Sequence, residues 1–375
     1  MVWEASRVAF TGVAGPKIGR NVGIDLAKAL ATLGVITLHF VGPQTGPVNA
    51  ALYLLASFSI PVFVMCNGYF VLNKHAVNWR YAIRKAADLL ALASLWCMVN
   101  WALFAIARRD LGVWGALTPL HDFLSSAMQR GDDSILWYLW MLAGLELSAP
   151  VVVEVRNRFG WLPLIVVLAM ICLSVNIASV LAEASGGAAV QSYVPQPLRV
   201  WTWLLYFCLG GALGTRDISK ESIRQSATRL LVMLTFGAVT GVLLWGYGIR
   251  WRLWGMDKAE YLYDDPMVVL FSVSLLLLCD VGCRSAIGCR ASSTIARVSA
   301  AGLGVYVLQV PVRAFQWHFY QLDNPLFNLV LVPTAYLLLL GMSLLLGRLP
   351  ALKCLVRVGL VPRHAYGQQS DGSDS

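Results

Sequence analysis

Long hydrophobic stretches separated by short polar segments dominate this chain. A bilayer crossing takes about 20 mostly apolar residues, and ten stretches approach or reach that length. They lie at residues 22–41, 51–72, 83–107, 136–153, 161–182, 199–215, 228–248, 266–282, 297–315 and 325–348. Only 13% of the residues are charged, whereas a soluble domain carries about 25%. The pattern therefore predicts an all-α integral membrane protein with about ten transmembrane helices.

Lysine and arginine fall mainly on one side of this arrangement. With the N-terminus inside, the inner segments hold 20 of the 29 Lys and Arg residues and the outer segments hold 8. Cytoplasmic loops collect such residues, so we predict that both termini are cytoplasmic. The same bias accounts for the net charge of +9 without any nucleic acid partner. The first stretch is too long for a signal peptide, and we expect it to stay as an anchor.

Three regions follow from this reading: a cytoplasmic N-terminal segment at 1–20, a membrane domain at 21–350, and a cytoplasmic tail at 351–375. The end of the tail is polar and small, which predicts partial disorder. The outer connection at 249–265 contains aromatic residues among charged ones, namely Trp251, Trp254, Tyr261 and Tyr263. These rings suit either a sugar or the interfacial aromatic belt of a membrane protein.

The eight cysteines do not indicate a disulfide framework, since most of them lie in apolar stretches. Buried Cys behaves as a small hydrophobic residue. Cys279, Cys283 and Cys289 lack a zinc spacing with histidines. We therefore expect no metal site.

The first hydrophobic stretch carries three ionisable residues, Asp25, Lys28 and His39. At about 100° per residue, Lys28 and His39 lie roughly 20° apart on one helix face, and Asp25 is within reach of Lys28. One interpretation is that Asp25 and Lys28 mark the membrane boundary, with the lysine reaching to the surface. The other is functional, because ionisable residues inside a span are costly and usually serve a site.

Other polar residues of the spans and their borders are candidates of the same kind. Each also has a structural explanation: positive charge on inner loops, packing by an intramembrane amide, or an aromatic belt. The candidates are Arg80 and Arg84 beside Lys85 in an inner basic cluster, Asn67, Glu146, Trp137, Tyr138 and Arg199.

Five segments of the chain form an ordered set of motifs. The first is the frame Asp25, Lys28, His39, and the others are SIPVFVMCNGYFV from Ser59, LWYLWML from Leu136, WTWLLYFCLGGAL from Trp201 and GLGVYVLQVPV from Gly302. Together they resemble the membrane acyltransferase 3 family, the integral-membrane O-acyltransferases of surface polysaccharides, in which arginine stands in place of Lys28. Gln309 stands in the last segment where the family usually has histidine, and Ile135 stands where a histidine often precedes the third.

The resemblance implies transfer of an acyl group, most commonly acetyl, from acyl-CoA to a hydroxyl of a cell-surface glycan or its lipid-linked precursor at the plasma membrane. It assigns catalysis to His39 with Asp25 and donor binding to Lys28, Arg80, Arg84, Trp137 and Tyr138. Acceptor-side candidates are Glu146, Arg199, Gln309 and Asn67. We expect Asp25 to pair with Lys28. Two alternatives stay open: a transporter or flippase of such a precursor, with helices broken at Pro61, Pro163, Pro311 or Pro333, and a non-catalytic member of the family.

Overall fold

The structure is a computed structural model and describes residues 21–41, 47–74, 77–108, 118–215, 228–241, 262–283, 289–316 and 325–357. Within these ranges the regular structure is entirely helical. Some predictions lie outside the described residues: those for residues 1–20, for Trp251, Trp254 and Tyr261, and for the tail beyond residue 357. The predictions for Cys283 and Cys289 concern side chains, which are described for neither residue.

Twelve helices are described. In chain order they are α1 (Val22–Phe40), α2 (Pro47–Leu55), α3 (Ser59–Val71), α4 (Trp79–Arg108), α5 (Thr118–Ser126), α6 (Trp137–Phe159), α7 (Trp161–Ala184), α8 (Val200–Gly214), α9 (Thr228–Gly241), α10 (Pro266–Cys283), α11 (Cys289–Gln316) and α12 (Pro325–Leu346). Helices satisfy their own backbone hydrogen bonds, which a segment inside a membrane requires.

Seven helical segments are long and apolar enough to cross a membrane: Val22–Phe40, Pro47–Val71, Trp79–Ile106, Ser134–Phe159, Trp161–Ala184, Ala291–Val312 and Phe327–Leu346. Three further apolar helices, α8, α9 and α10, are shorter in the described residues. The chain is thus a multi-pass helical membrane protein, as predicted. The count of ten and the cytoplasmic position of both ends stay predictions.

The second predicted span is two helices in the structure. α2 passes through a 3-10 turn, Ala56–Phe58, into α3. The hydroxyl of Ser59 donates to the carbonyl of Ala56 at this junction. A serine hydroxyl that bonds its own backbone competes with the helical pattern, which accounts for the interruption.

Helix α1 occupies the centre of the bundle, where it contacts α3, α10, α11 and α12. The Asn21 side chain caps it by accepting from the backbone N–H groups of Gly23 (3.0 Å) and Ile24 (3.3 Å). The same side chain donates to Asp280 on α10 at 2.6 Å. A Cβ on Gly23 would lie 2.3 Å from the carbonyl oxygen of Cys279, so only glycine permits this approach of α1 and α10.

Among the described helices, α3 and α8 pack closely, because glycines on each admit the backbone of the other. A Cβ on Gly68 would lie 2.0 Å from the Phe207 carbonyl oxygen, and one on Gly210 would lie 1.9 Å from that of Met65. α7 and α12 bury only 17% and 22% of their spans, which places them at the lipid-facing surface.

Candidate functional site

A cavity of about 290 Å³ lies between α1, α3, α4, α6 and α11. Apolar side chains form most of its wall, but each of the five helices adds a polar one. These are Lys28, Asn67, Lys85, Glu146 and Ser299. Polar residues inside a span are rare and usually face a water-filled or ligand-filled space. We call this space the inner cavity, since Lys28 and Lys85 lie near the side predicted to be cytoplasmic.

Glu146 is 4% exposed and belongs to the wall of the inner cavity. The amide of Asn67 donates to its Oε1 over 3.4 Å, and Oε2 has no hydrogen-bond partner among the described residues. Lys28 and Lys85 form no ion pair with a described residue. Glu146, Lys28 and Lys85 therefore face one space, an arrangement that suits a ligand with both donor and acceptor groups.

Asp25 is buried, and its pairing with Lys28 stays a prediction. Its Oδ1 accepts a hydrogen bond of 2.7 Å from the Ser299 hydroxyl. Asp25 therefore links α1 to α11, whereas Lys28 faces the inner cavity.

A second cavity of about 80 Å³ contains His39. We call it the histidine cavity. Four residues are common to both walls and stand between the two spaces: Val35, Ile60, Tyr138 and Tyr306. Lys28 and His39 are eleven residues apart on α1, which is roughly 16 Å of helix. The two cavities therefore lie one after the other along the polar face that the sequence predicted.

Gln309 on α11 contacts the imidazole directly. Its Oε1 lies 2.8 Å from His39 Nδ1. An amide oxygen only accepts, so Nδ1 carries the proton in this contact and Nε2 is the basic nitrogen of the neutral ring. Gln309 is fully buried. It was predicted as an acceptor-binding residue, and its described contact is with His39.

Aromatic contacts fix the walls of the histidine cavity. The rings of Tyr138 and Tyr306 are 5.3 Å apart, and the Tyr306 hydroxyl donates to the Ile135 carbonyl. The Trp137 ring lies 5.7 Å from that of Trp203. Trp137 and Tyr138, two of the sequence candidates, therefore line the site.

Tyr263, from the aromatic connection at 249–265, also lines the histidine cavity. Its carbonyl accepts from the Tyr206 hydroxyl at 2.8 Å, and its ring lies 5.3 Å from Trp203. The adjacent Asp264 accepts hydrogen bonds from Thr202 and from Gln191 (3.2 Å). Burial raises the pKa of Asp264 above its usual range. These contacts hold residues 262–265 against α8 and the segment before it.

Arg199 is buried rather than open to an acceptor. Its Nε donates to the Val194 carbonyl at 2.9 Å and its Nη2 to the Gln191 carbonyl at 2.6 Å. Arg80 and Arg84 are exposed near the start of α4 and line neither cavity, whereas neighbouring Lys85 does. Sequence reasoning also missed Tyr306, Ser299, Val35 and Ile60 as wall residues, because apolar and hydroxyl positions in a span carry no signal of what they face.

Within the described residues, no group of three or more His, Cys, Asp or Glu side chains could hold a metal ion. The site contains His39, whose ring is oriented by Gln309, and the adjoining inner cavity contains the ammonium groups of Lys28 and Lys85.

The structure is that of a helical membrane protein with an internal, partly polar site. A transferase that works within the membrane needs such a site. The family model described as an acyltransferase domain matches residues 21–348. The chain therefore belongs to the membrane acyltransferase 3 family, and this membership identifies it as a membrane acyltransferase. No curated protein and no solved structure gave a significant match.

Proposed function

We propose that the protein transfers an acyl group, specifically acetyl, from acyl-CoA to a hydroxyl of a cell-surface glycan or its lipid-linked precursor at the plasma membrane. The observation that carries this proposal is His39, with Nδ1 on Gln309, in a small cavity adjoining a larger one that contains Lys28 and Lys85. Donor and acceptor would meet where the two cavities share their walls.

The inner cavity suits the donor. CoA carries phosphates at one end and an arm with amide groups at the other. The ammonium groups of Lys28 and Lys85 favour the anionic part, and Asn67 with Glu146 offers hydrogen bonds to the arm. The roughly 16 Å of helix between Lys28 and His39 is similar to the length of an extended pantetheine arm.

The histidine cavity suits the reaction. A hydroxyl attacks a thioester poorly until a base removes its proton. His39 Nε2 takes this proton while the hydroxyl oxygen bonds to the thioester carbonyl carbon. The tetrahedral intermediate then collapses, the carbon–sulfur bond breaks, and the departing thiolate receives the proton from the imidazolium. The products are the ester and free CoA.

The acceptor is a sugar in this proposal because aromatic side chains surround the outer part of the histidine cavity. Tyr53, Trp137 and Tyr263 line it, and flat apolar rings with polar edges suit the faces of a sugar ring. No described feature favours the flippase reading. Pro311 and Pro333 lie inside continuous helices, and α3 begins before Pro61.

The test is acyl transfer by the purified protein in liposomes with labelled acetyl-CoA and the glycan of the producing cell. We expect His39→Ala to lower the rate about 10²–10⁴-fold, the usual contribution of a general base. His121→Ala is the matched control, since that side chain is 77% exposed on α5. Full acyl transfer by His39→Ala at normal expression would remove His39 from the mechanism. No label transfer by the unsubstituted protein would contradict the proposed function.

A further inference from the structure

The wall shared by the inner cavity and the histidine cavity contains a hydroxyl group that has no partner. Four residues form this wall: Val35, Ile60, Tyr138 and Tyr306. Two of them are aliphatic, and the Tyr306 hydroxyl donates to the Ile135 carbonyl. Tyr138 is therefore the one member of this wall whose O–H is not taken by another described residue.

The ring of Tyr138 is held firmly, although its hydroxyl is not. The side chain is 8% exposed. Its ring centroid lies 5.3 Å from that of Tyr306 and 6.2 Å from those of Phe63 and Trp137. The hydroxyl is not fully enclosed by protein atoms, so it borders the open space between the two cavities. Buried polar groups are nearly always paired, and an unpaired one beside an internal cavity suits a bound ligand.

The proposed reaction develops negative charge at this same place. When the acceptor hydroxyl bonds to the thioester carbonyl carbon, an electron pair moves onto the carbonyl oxygen. His39 then holds the proton and cannot also neutralise that oxygen. A donor fixed in advance toward the developing oxyanion lowers the barrier, and a phenol keeps its proton at neutral pH. Tyr53 and Tyr263 line the histidine cavity alone, which leaves Tyr138 where the thioester would meet the acceptor.

We propose that Tyr138 is the oxyanion donor of the reaction: its O–H donates a hydrogen bond to the thioester carbonyl oxygen, and a stronger one once that oxygen is negative. This inference rests on the proposed function. Tyr138 keeps its proton throughout. As the carbon–sulfur bond breaks, the electron pair returns from the oxyanion to re-form the carbonyl, and the thiolate takes its proton from the His39 imidazolium.

The experiment measures kcat and KM for acetyl-CoA with Tyr138→Phe, made in the full chain and assayed in liposomes. This variant removes only the hydroxyl. We expect kcat to fall about 10²–10³-fold, as on loss of one oxyanion donor, with KM nearly unchanged because the bond strengthens only in the transition state. The melting temperature should also stay the same, since the ring contacts remain and no described hydrogen bond is lost. Tyr336→Phe is the matched control, because Tyr336 is a partly buried tyrosine of α12 that lines neither cavity.

The outcomes separate this inference from the proposed function. A lowered kcat in Tyr138→Phe, with the kinetics of Tyr336→Phe unchanged, supports the oxyanion role. A raised KM with unchanged kcat would make Tyr138 a donor-binding residue and overturn that role, as would unchanged values of both. A melting temperature well below that of Tyr336→Phe would also overturn it, because the hydroxyl would then be bonded within the protein. In each of these cases the proposed function stands. Absence of transfer by the unsubstituted protein overturns the proposed function together with the oxyanion role.

Discussion

The glycine contacts between α3 and α8 allow a sharp test of the packing that positions the site. Gly210→Ala would place a Cβ 1.9 Å from the Met65 carbonyl oxygen, whereas real Cβ contacts stay above 3.0 Å. The two helices must therefore separate locally by about 1 Å, since a backbone carbonyl within a helix cannot rotate away. Overpacking of this kind costs about 1–3 kcal/mol.

Thermal unfolding in detergent, followed by tryptophan fluorescence, measures this cost. We expect Gly210→Ala to lower the melting temperature by roughly 2–10 °C. Gly341→Ala on α12 is the control, because no described atom lies within 4 Å of its added Cβ. Alanine is also the better helix former by about 0.5–1 kcal/mol, so the control should melt at the same temperature or slightly higher.

The same variant also reports on the site. α3 carries Cys66 and Asn67 to the inner cavity, so a displaced α3 should reduce acyl transfer even below the melting temperature. Equal melting temperatures for Gly210→Ala and Gly341→Ala would refute the close approach of the two helices.

Two further variants test single contacts. Burial raises the pKa of the Asp133 carboxyl to about 6 from its usual 3.8, although a 2.6 Å hydrogen bond from Asn100 opposes the rise. The folded chain thus holds this proton more tightly than the unfolded chain, and stability falls as the pH rises from about 4 to about 6. Asp133→Asn should lose this dependence, and a constant difference in melting temperature from pH 4 to 7 would contradict the assignment. Gln309→Leu should lower acyl transfer by about 2–10-fold, since one hydrogen bond that orients His39 is lost; an unchanged rate would show that this contact does not orient the ring.

The helices were predictable from the sequence wherever a span is both long and apolar. Trp161–Ala184 matches the prediction at 161–182 closely, because a lipid-facing helix is apolar all round. The 3-10 turn at Ala56–Phe58 was not predicted, since a few residues of different geometry do not alter an apolar pattern. α5 was missed because it is short and amphipathic, and lies inside a segment that composition marks as a loop.

The site was predictable on one helix and not between helices. Helical geometry placed Lys28 and His39 on one face, and the structure gives each of them a cavity on that face. Asp25 contacts Ser299 and His39 contacts Gln309, each about 270 residues away in the sequence. Spacing within one helix carries no information about such contacts. For the same reason, only the packing of the helices could show that Lys85 lines the inner cavity and that Arg80 and Arg84 do not.

Two polar contacts join α1 to α11, one near each end: Asp25 with Ser299 and His39 with Gln309. These contacts hold α1 and α11 together at two points and resist sliding of one helix past the other. Lys28 and His39 both lie on α1, so the roughly 16 Å of helix between them is set by that helix alone. If the proposed reaction holds, a thioester donor with an arm shorter than this interval would enter the inner cavity without bringing its carbonyl carbon to His39.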